Sequence, residues 1–323
     1  MKPAARTGRY TRAARNLAAQ GVFPRHRDRS FPAAKTGRRG WFCGRILPIA
    51  DLSPTEPMPQ PWKPSPAIQI SFAAHGAAAV SLLAFPGSWP WALGAVAVNQ
   101  LLLSGAGMLP RSALLGANLN RLPALAAARR EIALTIDDGP DPEVTPRVLD
   151  ILDAAGARAS FFCIGARARQ YPRLCREIVA RGHRVENHGD SHSWLFATFG
   201  RTRMRADIAA AQTTLSDVTG QAPQFFRPTA GLRNPLLDPV LASLDLRLAS
   251  WTRRPYDTRA SDGRRVLERL TGRLGPGDIL LLHDGNAGLT PAGEPLILAV
   301  LPPLLAAAAE ARLSPVTLVA AGR

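Results

Sequence analysis

From Glu131 to its C-terminus, the chain alternates short β-branched or aromatic runs with amphipathic stretches of ten or more residues. Strands are predicted near 132–136, 159–164, 183–187, 224–227, 247–251, 279–283 and 316–319. Helices are predicted between them, at about 144–155, 172–181, 202–219, 236–243, 262–274 and 295–311. Seven β/α units of this kind predict an α/β fold whose parallel sheet closes as a barrel, with functional residues just after the strands.

The first 57 residues carry much of the formal net charge of +16. Twelve Lys and Arg stand there against three acidic residues, in a segment without sustained apolar periodicity. Such a segment cannot bury enough surface to offset its ordering entropy, so disorder is predicted over 1–57. Translation from Met58 is the favoured explanation and a transit peptide the alternative. Nucleic acid is not an expected partner, because this leader need not belong to the mature protein.

Two apolar segments follow, from Ala67 to Phe85 and from Trp89 to Leu109, and neither contains Asp, Glu, Lys or Arg. Each is about long enough to cross a hydrocarbon core of ~30 Å, and the Pro-Gly-Ser sequence between them suits a turn. A transmembrane helical hairpin is therefore predicted over 58–110, with a pair of buried soluble helices as the alternative. Residues 111–130 are predicted to link the hairpin to the α/β domain over 131–323.

The charges that flank the hairpin predict its orientation. Lys63 precedes the two segments, and four arginines follow them within about twenty residues: Arg111, Arg121, Arg129 and Arg130. The positive-inside rule then places both flanks in the cytoplasm. The chain is expected in the inner (cytoplasmic) membrane, in contact with membrane lipid, with its α/β domain facing the cytoplasm.

The first predicted strand runs directly into two aspartates, Asp137 and Asp138. Adjacent carboxylates at a strand end repel each other unless a cation lies beside them, and a metal bound by one of them would provide it. A turn alone would need only one Asp. The pair therefore indicates a functional site.

Two histidines follow the third predicted strand, in the sequence His188-Gly-Asp-Ser-His192. This spacing lets both imidazoles converge if the turn is helical. Two histidines and one carboxylate make a three-ligand site that leaves positions open for water and substrate. A non-haem iron oxygenase uses the same three ligands, but it explains neither the doubled Asp nor a further histidine at the end of the sixth strand.

Other polar side chains also follow predicted strands. Arg227 comes after the fourth strand, Trp251 leads from the fifth strand to Asp257, and His283 ends the sixth. A histidine titrates in the range that is useful for general acid catalysis. Each residue alone has an ordinary structural explanation, such as a helix cap for Asp257. Their shared position after successive strands indicates a single site.

Five of these segments resemble the ordered motifs of the polysaccharide deacetylases, the NodB-homology domain of carbohydrate esterase family four. The segments are Asp137-Asp138-Gly139-Pro140, His188-x-x-x-His192, Arg227-Pro228-x-x-Gly231, Asp257 and Leu281-x-His283. The resemblance covers about residues 131–320 and implies a distorted (β/α) barrel of about seven strands. It also implies hydrolysis of an acetamide on an amino sugar, with a divalent metal, expected to be Zn. The expected substrate is an N-acetylated glycan or, in keeping with the inward orientation, a lipid-linked sugar that is modified before export.

The resemblance implies a role for each matching residue. Asp138, His188 and His192 match the metal ligands of the family. Asp137 matches the general base that takes a proton from the attacking water. His283 matches the general acid that protonates the leaving amine. These roles agree with the chemistry, because amide hydrolysis needs an activated nucleophile and a proton for a poor leaving group.

Further matches concern positioning and substrate binding. Arg227 matches the arginine that positions the base, and Asp257 matches the carboxylate that supports the acid histidine. Leu281 matches the lining of the acetyl pocket. The residues expected to bind substrate are Ala230, Gly231, Leu281 and Trp251.

Several positions depart from the family pattern. Ala230 stands where an aromatic residue is usual, Arg254 where an acidic residue is common, Thr258 where a Trp is common, and Gly189 where Ser or Thr is usual. These departures concern carbohydrate selection, whereas the groups that carry the chemistry are intact. A catalytically inactive carbohydrate-binding relative remains the alternative from another functional class, and such a protein should lack a ligand, the base or the acid.

Overall fold

The computed structural model describes residues 62–322 of the chain. Within this range the strands are β1 (Glu131–Asp137), β2 (Ala159–Cys163), β3 (Arg184–Asn187), β4 (Phe225–Phe226), β5 (Arg247–Leu248), β6 (Ile279–His283) and β7 (Ser314–Val316). The helices are α1 (Pro66–Ala84), α2 (Trp89–Gly107), α3 (Ala124–Ala128), α4 (Val144–Ala154), α5 (Gly165–Gln170), α6 (Pro172–Ala180), α7 (Arg201–Thr219), α8 (Leu237–Ala242), α9 (Gly263–Thr271), α10 (Leu296–Glu310) and α11 (Leu318–Ala321). The leader predicted over 1–57 lies outside the described residues.

All seven strands belong to one parallel sheet with the order β5-β4-β3-β2-β1-β6, and β7 pairs with the first half of β1. The two ends of this path meet at one point, where Arg253 forms a parallel bridge with Leu280 of β6. The backbone N–H of Leu281 donates to the carbonyl of Arg253 there, at 3.1 Å. The sheet is therefore a curled half-barrel. It stays open on one side because β4 and β5 are only two residues long, and the Arg253–Leu280 bridge spans that open side.

Strand β1 shows how the sequence builds two separate layers of core. Alternate residues of a strand point to opposite faces of the sheet. Ile132, Leu134 and Ile136 pack against the outer helices, with residues such as Leu149 of α4. Ala133 lies in the inner cluster, which also contains Phe162, Trp251 and Leu281. The side chain of Asp137 therefore emerges from the inner face at the carboxyl end of the strand.

Helices α1 and α2 form a hairpin. The α1 helix begins at Pro66, after the Ser65 side chain accepts a hydrogen bond from the N–H of Ile68. Polar side chains join the two helices, because Asn99 donates to Ser71 Oγ at 2.8 Å and Gln100 Nε2 lies 3.2 Å from His75 Nε2. Many large apolar side chains in the two helices and directly after them are exposed: Ile70, Phe72, Val80, Leu83, Phe85, Trp89, Trp91, Leu93, Val98, Leu101, Leu102, Met108 and Leu109.

The two helices coincide closely with the apolar segments predicted to cross a membrane. Of the helices that the structure describes, α1 alone is long and apolar enough to span a bilayer by length and composition. The α2 helix has the length but not the composition, because it contains Asn99, Gln100 and two Trp residues. The double crossing predicted for the hairpin is thus supported by one helix only.

Every predicted strand and helix corresponds to an element of the structure, but three short helices (α3, α5 and α11) were not predicted. Strands β4 and β5 are also shorter than expected, and the largest difference lies at the C-terminus. The last strand was expected at 316–319, but it ends at Val316 and α11 begins two residues later. Thr317 caps this helix, since its side chain accepts a hydrogen bond from the N–H of Ala320. The β-branched residues Val316, Thr317 and Val319 favour a strand by propensity, and the local side-chain cap overrides that preference. The segment predicted as a linker, 111–130, contains α3 and pairs with the barrel by a bridge from Leu119 to Ala249.

Candidate active site

The candidate site lies where β1, β3 and β6 end. Asp137 is the last residue of β1 and is the register partner of His283, the last residue of β6. His188 directly follows Asn187, the last residue of β3. Because the carboxyl ends of parallel strands meet at one edge, residues that are far apart in sequence come together there.

Asp138 leaves the sheet in a left-handed backbone conformation, with φ of 76°. Its Oδ1 lies 3.1 Å from His188 Nε2 and 2.9 Å from His192 Nε2. Burial alone would raise the pKa of Asp138, but the hydrogen bonds from both histidines outweigh it and hold this pKa well below its usual range. Asp138 is therefore anionic, as a metal ligand must be.

One ligand atom from each of Asp138, His188 and His192 can be chosen so that all three lie within 4.8 Å of one another. His188 Nδ1 donates to the carbonyl of Arg227 at 2.7 Å, which fixes the ring with Nε2 towards Asp138, so Nε2 is the nitrogen that would bind a metal once it has lost its proton. A carboxylate and two imidazoles suit Zn²⁺ and related divalent ions. The three residues thus fit the metal that the resemblance implies.

Asn286 and Gly285 support the Asp138 side of this cluster. Asn286 Nδ2 donates to Asp138 Oδ2 at 2.9 Å, which orients the carboxylate. A side chain at position 285 would begin 2.2 Å from the carbonyl oxygen of Asp138, so only glycine permits this close approach. Sequence analysis missed both residues. Their only signal was their position immediately after the sixth strand.

Arg227 fixes Asp137 from below the site. Its Nη1 donates to Asp137 Oδ1 at 2.6 Å and to Thr135 Oγ1 at 2.9 Å. Its Nε and Nη2 donate to the carbonyls of Ala249 and Ser250. The guanidinium is fully buried, and its central carbon lies 4.0 Å from the centroid of the Phe162 ring. Asp137 is therefore held by one oxygen, and its other oxygen, Oδ2, lies 3.9 Å from His188 Nε2.

Asp257 holds His283 in a defined orientation. Its Oδ1 accepts a hydrogen bond from His283 Nδ1 at 2.8 Å, and its Oδ2 accepts one from the backbone N–H of His283 at 2.8 Å. Burial would lower the pKa of His283, but the charge and hydrogen bond of Asp257 outweigh it and raise this pKa to about 9. His283 is thus protonated near neutral pH, with Nε2–H available to a bound molecule.

The segment 229–231 forms another wall of the site. Ala230 and Gly231 both have positive φ, at 56° and 75°. A side chain at position 231 would begin 2.5 Å from the Trp251 ring, so the loop packs directly on that ring. The backbone of Ala230 and Gly231 therefore lies at the same site as Asp138 and His283.

A cavity of about 960 Å³ unites these residues. The residues predicted from the sequence that line it are Asp137, Asp138, His188, His192, Ala230, Gly231, Trp251, Leu281 and His283. The other two predicted residues, Arg227 and Asp257, lie beneath the cavity and each binds a residue that lines it. The lining also contains residues that sequence analysis did not assign to the site, among them Trp194, Arg167 and Arg259.

Asp284 is a buried acid that the sequence analysis did not assign to the site, although it follows His283 directly. Its Oδ2 accepts a hydrogen bond of 2.5 Å from Thr145 Oγ1. Burial raises the pKa of Asp284 to about 7. A side chain at Gly139 would begin 2.6 Å from this carboxylate, so Asp284 packs beneath the turn that carries Asp138.

Comparison with known proteins gives consistent matches over the catalytic part of the chain. The family model described as "Polysaccharide deacetylase" matches residues 125–249. A chitooligosaccharide deacetylase of Azorhizobium caulinodans is 35% identical over 155 residues, which are 48% of this chain and 73% of that protein. A peptidoglycan-N-acetylglucosamine deacetylase of Bacillus cereus is 32% identical over 162 residues. That match covers 50% of this chain and only 58% of the Bacillus cereus protein.

Solved structures share the same architecture. A family 4 carbohydrate esterase from Streptomyces lividans, solved in complex with acetate, has 30% identity and a TM-score of 0.52, covering 57% of this chain and 91% of that one. A CE4 family pseudoenzyme from Bacillus anthracis has 20% identity and a TM-score of 0.57, covering 64% of this chain and 69% of that one. The second similarity concerns the fold alone.

Proposed function

Because this chain belongs to the polysaccharide deacetylase family, we propose that it hydrolyses the acetamide of an N-acetylated amino sugar and releases acetate. Asp138, His188 and His192 would hold a divalent metal, expected to be Zn²⁺. The observation that carries the proposal is that these three ligands line one cavity together with Asp137 and His283. Relatives named as peptidoglycan and chitooligosaccharide deacetylases support an N-acetylated glycan as the substrate.

A divalent ion at this site would supply a Lewis acid, which makes water a stronger nucleophile and polarises a carbonyl oxygen. Asp137 accepts the proton of the attacking water on Oδ2, because Arg227 already occupies Oδ1. The N–H of Ala230 donates to the oxygen of the acetamide as negative charge develops there. Leu281 and Trp251 line the space for the acetyl methyl group.

His283 completes the reaction. Its Nδ1 is engaged by Asp257, so the proton on Nε2 is the one that passes to the sugar nitrogen. The C–N bond breaks as this nitrogen is protonated, and the products are acetate and a free amino sugar. The reaction consumes one water molecule and needs no other reactant besides the acetylated sugar.

Acetate release by the full-length protein in detergent tests the proposal. The protein is stripped with a chelator, reloaded with Zn²⁺ and incubated with chitotetraose or with muropeptide-derived glycans. We expect acetate from the reloaded protein and almost none from the stripped protein. Binding of the glycan without acetate release would indicate the inactive carbohydrate-binding alternative. Turnover that requires oxygen would indicate the oxygenase.

We also propose that the hairpin inserts into the inner membrane and that the catalytic domain faces the cytoplasm. The composition of α1 and the exposed apolar faces of both helices support insertion. The excess of arginine after Gly107 supports the orientation. Reporters fused after Arg323 test it: a fluorescent fusion protein should be bright and an alkaline phosphatase fusion inactive. The opposite pair of results would mean that one of the two helices does not cross.

A further inference from the structure

A second cavity, of about 890 Å³, lies between the hairpin and the catalytic domain. It runs along one side of α1 and α2 and is closed on the other side by α8 and the loop that precedes it. We call it the hairpin groove. Its apolar lining comes from both parts of the chain: Ile68, Phe72, Leu103, Pro235, Leu236 and Pro239. Its size is that of a ligand site.

A cation also lines the hairpin groove. Arg201, at the start of α7, is exposed. Its guanidinium has no hydrogen-bond or ion-pair partner within residues 62–322. A largely apolar groove that carries a cation without an acidic partner suits an anionic amphiphile better than a neutral polysaccharide, because each glycan hydroxyl buried there would need a hydrogen-bond partner.

A single loop separates the hairpin groove from the active-site cavity. Gly231 lines the cavity, and Asn234, three residues later, lines the groove. The N–H of Arg233 between them donates to the carbonyl of Gly107 at the end of α2, at 3.1 Å. The side chain of Asn234 donates to the carbonyls of Ala197 and Phe199. The same loop thus contributes to both spaces and is held by hydrogen bonds from α2 and from the segment at 197–199.

The active-site cavity is itself rich in arginine. Arg254 and Arg259 line it, and neither forms a salt bridge with any residue that the structure describes. Arg254 lies beside aromatic rings, with its central carbon 5.1 Å from the centroids of both Trp251 and Tyr256. Unpaired cations in a substrate cavity favour a negatively charged substrate.

We propose that the substrate is an N-acetylated amino sugar joined through phosphate to a long hydrocarbon chain. The hydrocarbon chain lies in the hairpin groove and the acetylated sugar lies in the active-site cavity. The arginines without acidic partners balance the charge of the phosphate linkage. This proposal rests on the proposed deacetylase function and specifies its substrate class.

The test compares two substrates with the same head, N-acetylglucosamine diphosphate carrying either a polyprenyl chain or a methyl group. The full-length, Zn²⁺-loaded protein in detergent should favour the polyprenyl substrate in kcat/KM. Leu236→Glu puts a charge in the hairpin groove, and it should lower the ratio of the two kcat/KM values about tenfold, in line with the lost burial of apolar surface. Leu125→Glu changes another exposed leucine, on α3 and outside both cavities, and should leave the ratio unchanged.

Equal kcat/KM for both substrates, or equal effects of Leu236→Glu and Leu125→Glu on the ratio, would overturn the assignment. Binding of the same two compounds to metal-free protein separates this inference from the proposed function. If the polyprenyl compound binds more tightly, and Leu236→Glu removes the difference while no variant releases acetate, the groove assignment stands and the deacetylase proposal fails. If a phospholipid probe competes for the groove and chain length has no effect on binding, the groove holds bulk lipid and the inference is wrong.

Discussion

Arg227 Nη1 donates a hydrogen bond of 2.6 Å to Asp137 Oδ1, and both side chains are buried. This ion pair occupies one carboxylate oxygen of Asp137 and leaves the other, Oδ2, free of Arg227. The two neighbouring aspartates therefore differ in environment. Asp138 faces two imidazoles, whereas Asp137 faces a guanidinium.

Asp137→Asn should separate the two aspartates by role. The amide retains the shape of the side chain but cannot take a proton, so acetate release should fall by about 10² or more. Zinc stoichiometry, measured by elemental analysis, should stay near that of the wild type. Loss of the metal in this variant would show that Asp137, and not only Asp138, is a ligand.

His192→Ala should empty the metal site. Two ligands seldom hold a catalytic ion that normally has three, so zinc should be lost on dialysis and activity with it. Half-buried His75, distant in sequence and in the hairpin, provides a histidine control outside the metal site: His75→Ala should keep its zinc. Full zinc occupancy in His192→Ala would remove this residue from the ligand set.

Arg227→Lys should weaken both folding and activity although it keeps the positive charge. Lysine cannot reproduce the planar arrangement that reaches Asp137, Thr135 and two backbone carbonyls at once. The lost buried hydrogen bonds should reduce the free energy of unfolding by about 2–3 kcal/mol, measured by thermal unfolding in detergent. Arg173→Lys, a change on the surface of α6, should have little effect. Unchanged unfolding in Arg227→Lys would contradict the importance of this network.

Asp257→Asn should shift the pH dependence of activity. Asp257 raises the pKa of His283 to about 9, so the wild type keeps its acid protonated up to roughly that pH. Without the carboxylate charge the pKa falls, and the alkaline decline of kcat should begin at lower pH. Asp150→Asn, at an exposed position, should leave the profile in place. If kcat of Asp257→Asn fell at the same alkaline pH as that of the wild type, the fall would be due to a group other than His283.

Glu186→Gln should change how stability depends on pH. Burial raises the pKa of Glu186 to about 7, above its ordinary value of 4.5, although two backbone N–H groups donate to it. The stability that the neutral acid contributes is complete below the ordinary pKa and is lost as pH rises toward 7. The Gln variant cannot ionise, so its advantage over the wild type should grow between pH 5 and 7, by at most about 1.4 kcal/mol per pH unit. A difference that is constant with pH would contradict this ionisation.

Much of the site could be predicted from the sequence, because most of its residues with reactive side chains stand at strand ends, where the topology of the sheet brings them together. Asp137, His188 and His283 each follow a strongly apolar run, and parallel strands bring such positions to one edge. Asn286 and Asp284 gave no comparable signal, because their roles depend on which carboxylate or hydroxyl the folded loops bring within reach. The Thr317 cap was missed for a related reason, since propensity favours a strand at that position and a single side-chain hydrogen bond decides for the helix.

The attachment of α2 to the loop at 231–234 matters for protein engineering. The Gly231 backbone packs against the Pro110 side chain, and Arg233 donates both to Gly107 and to the carbonyl of Ser112. A water-soluble fragment that starts beyond these residues would lose the outer support of one wall of the active-site cavity. Inhibitors selected on such a fragment would be optimised for a looser pocket. Their order of affinity would not carry over to the intact protein. A more faithful soluble form would keep the end of α2 and replace only its exposed apolar surface.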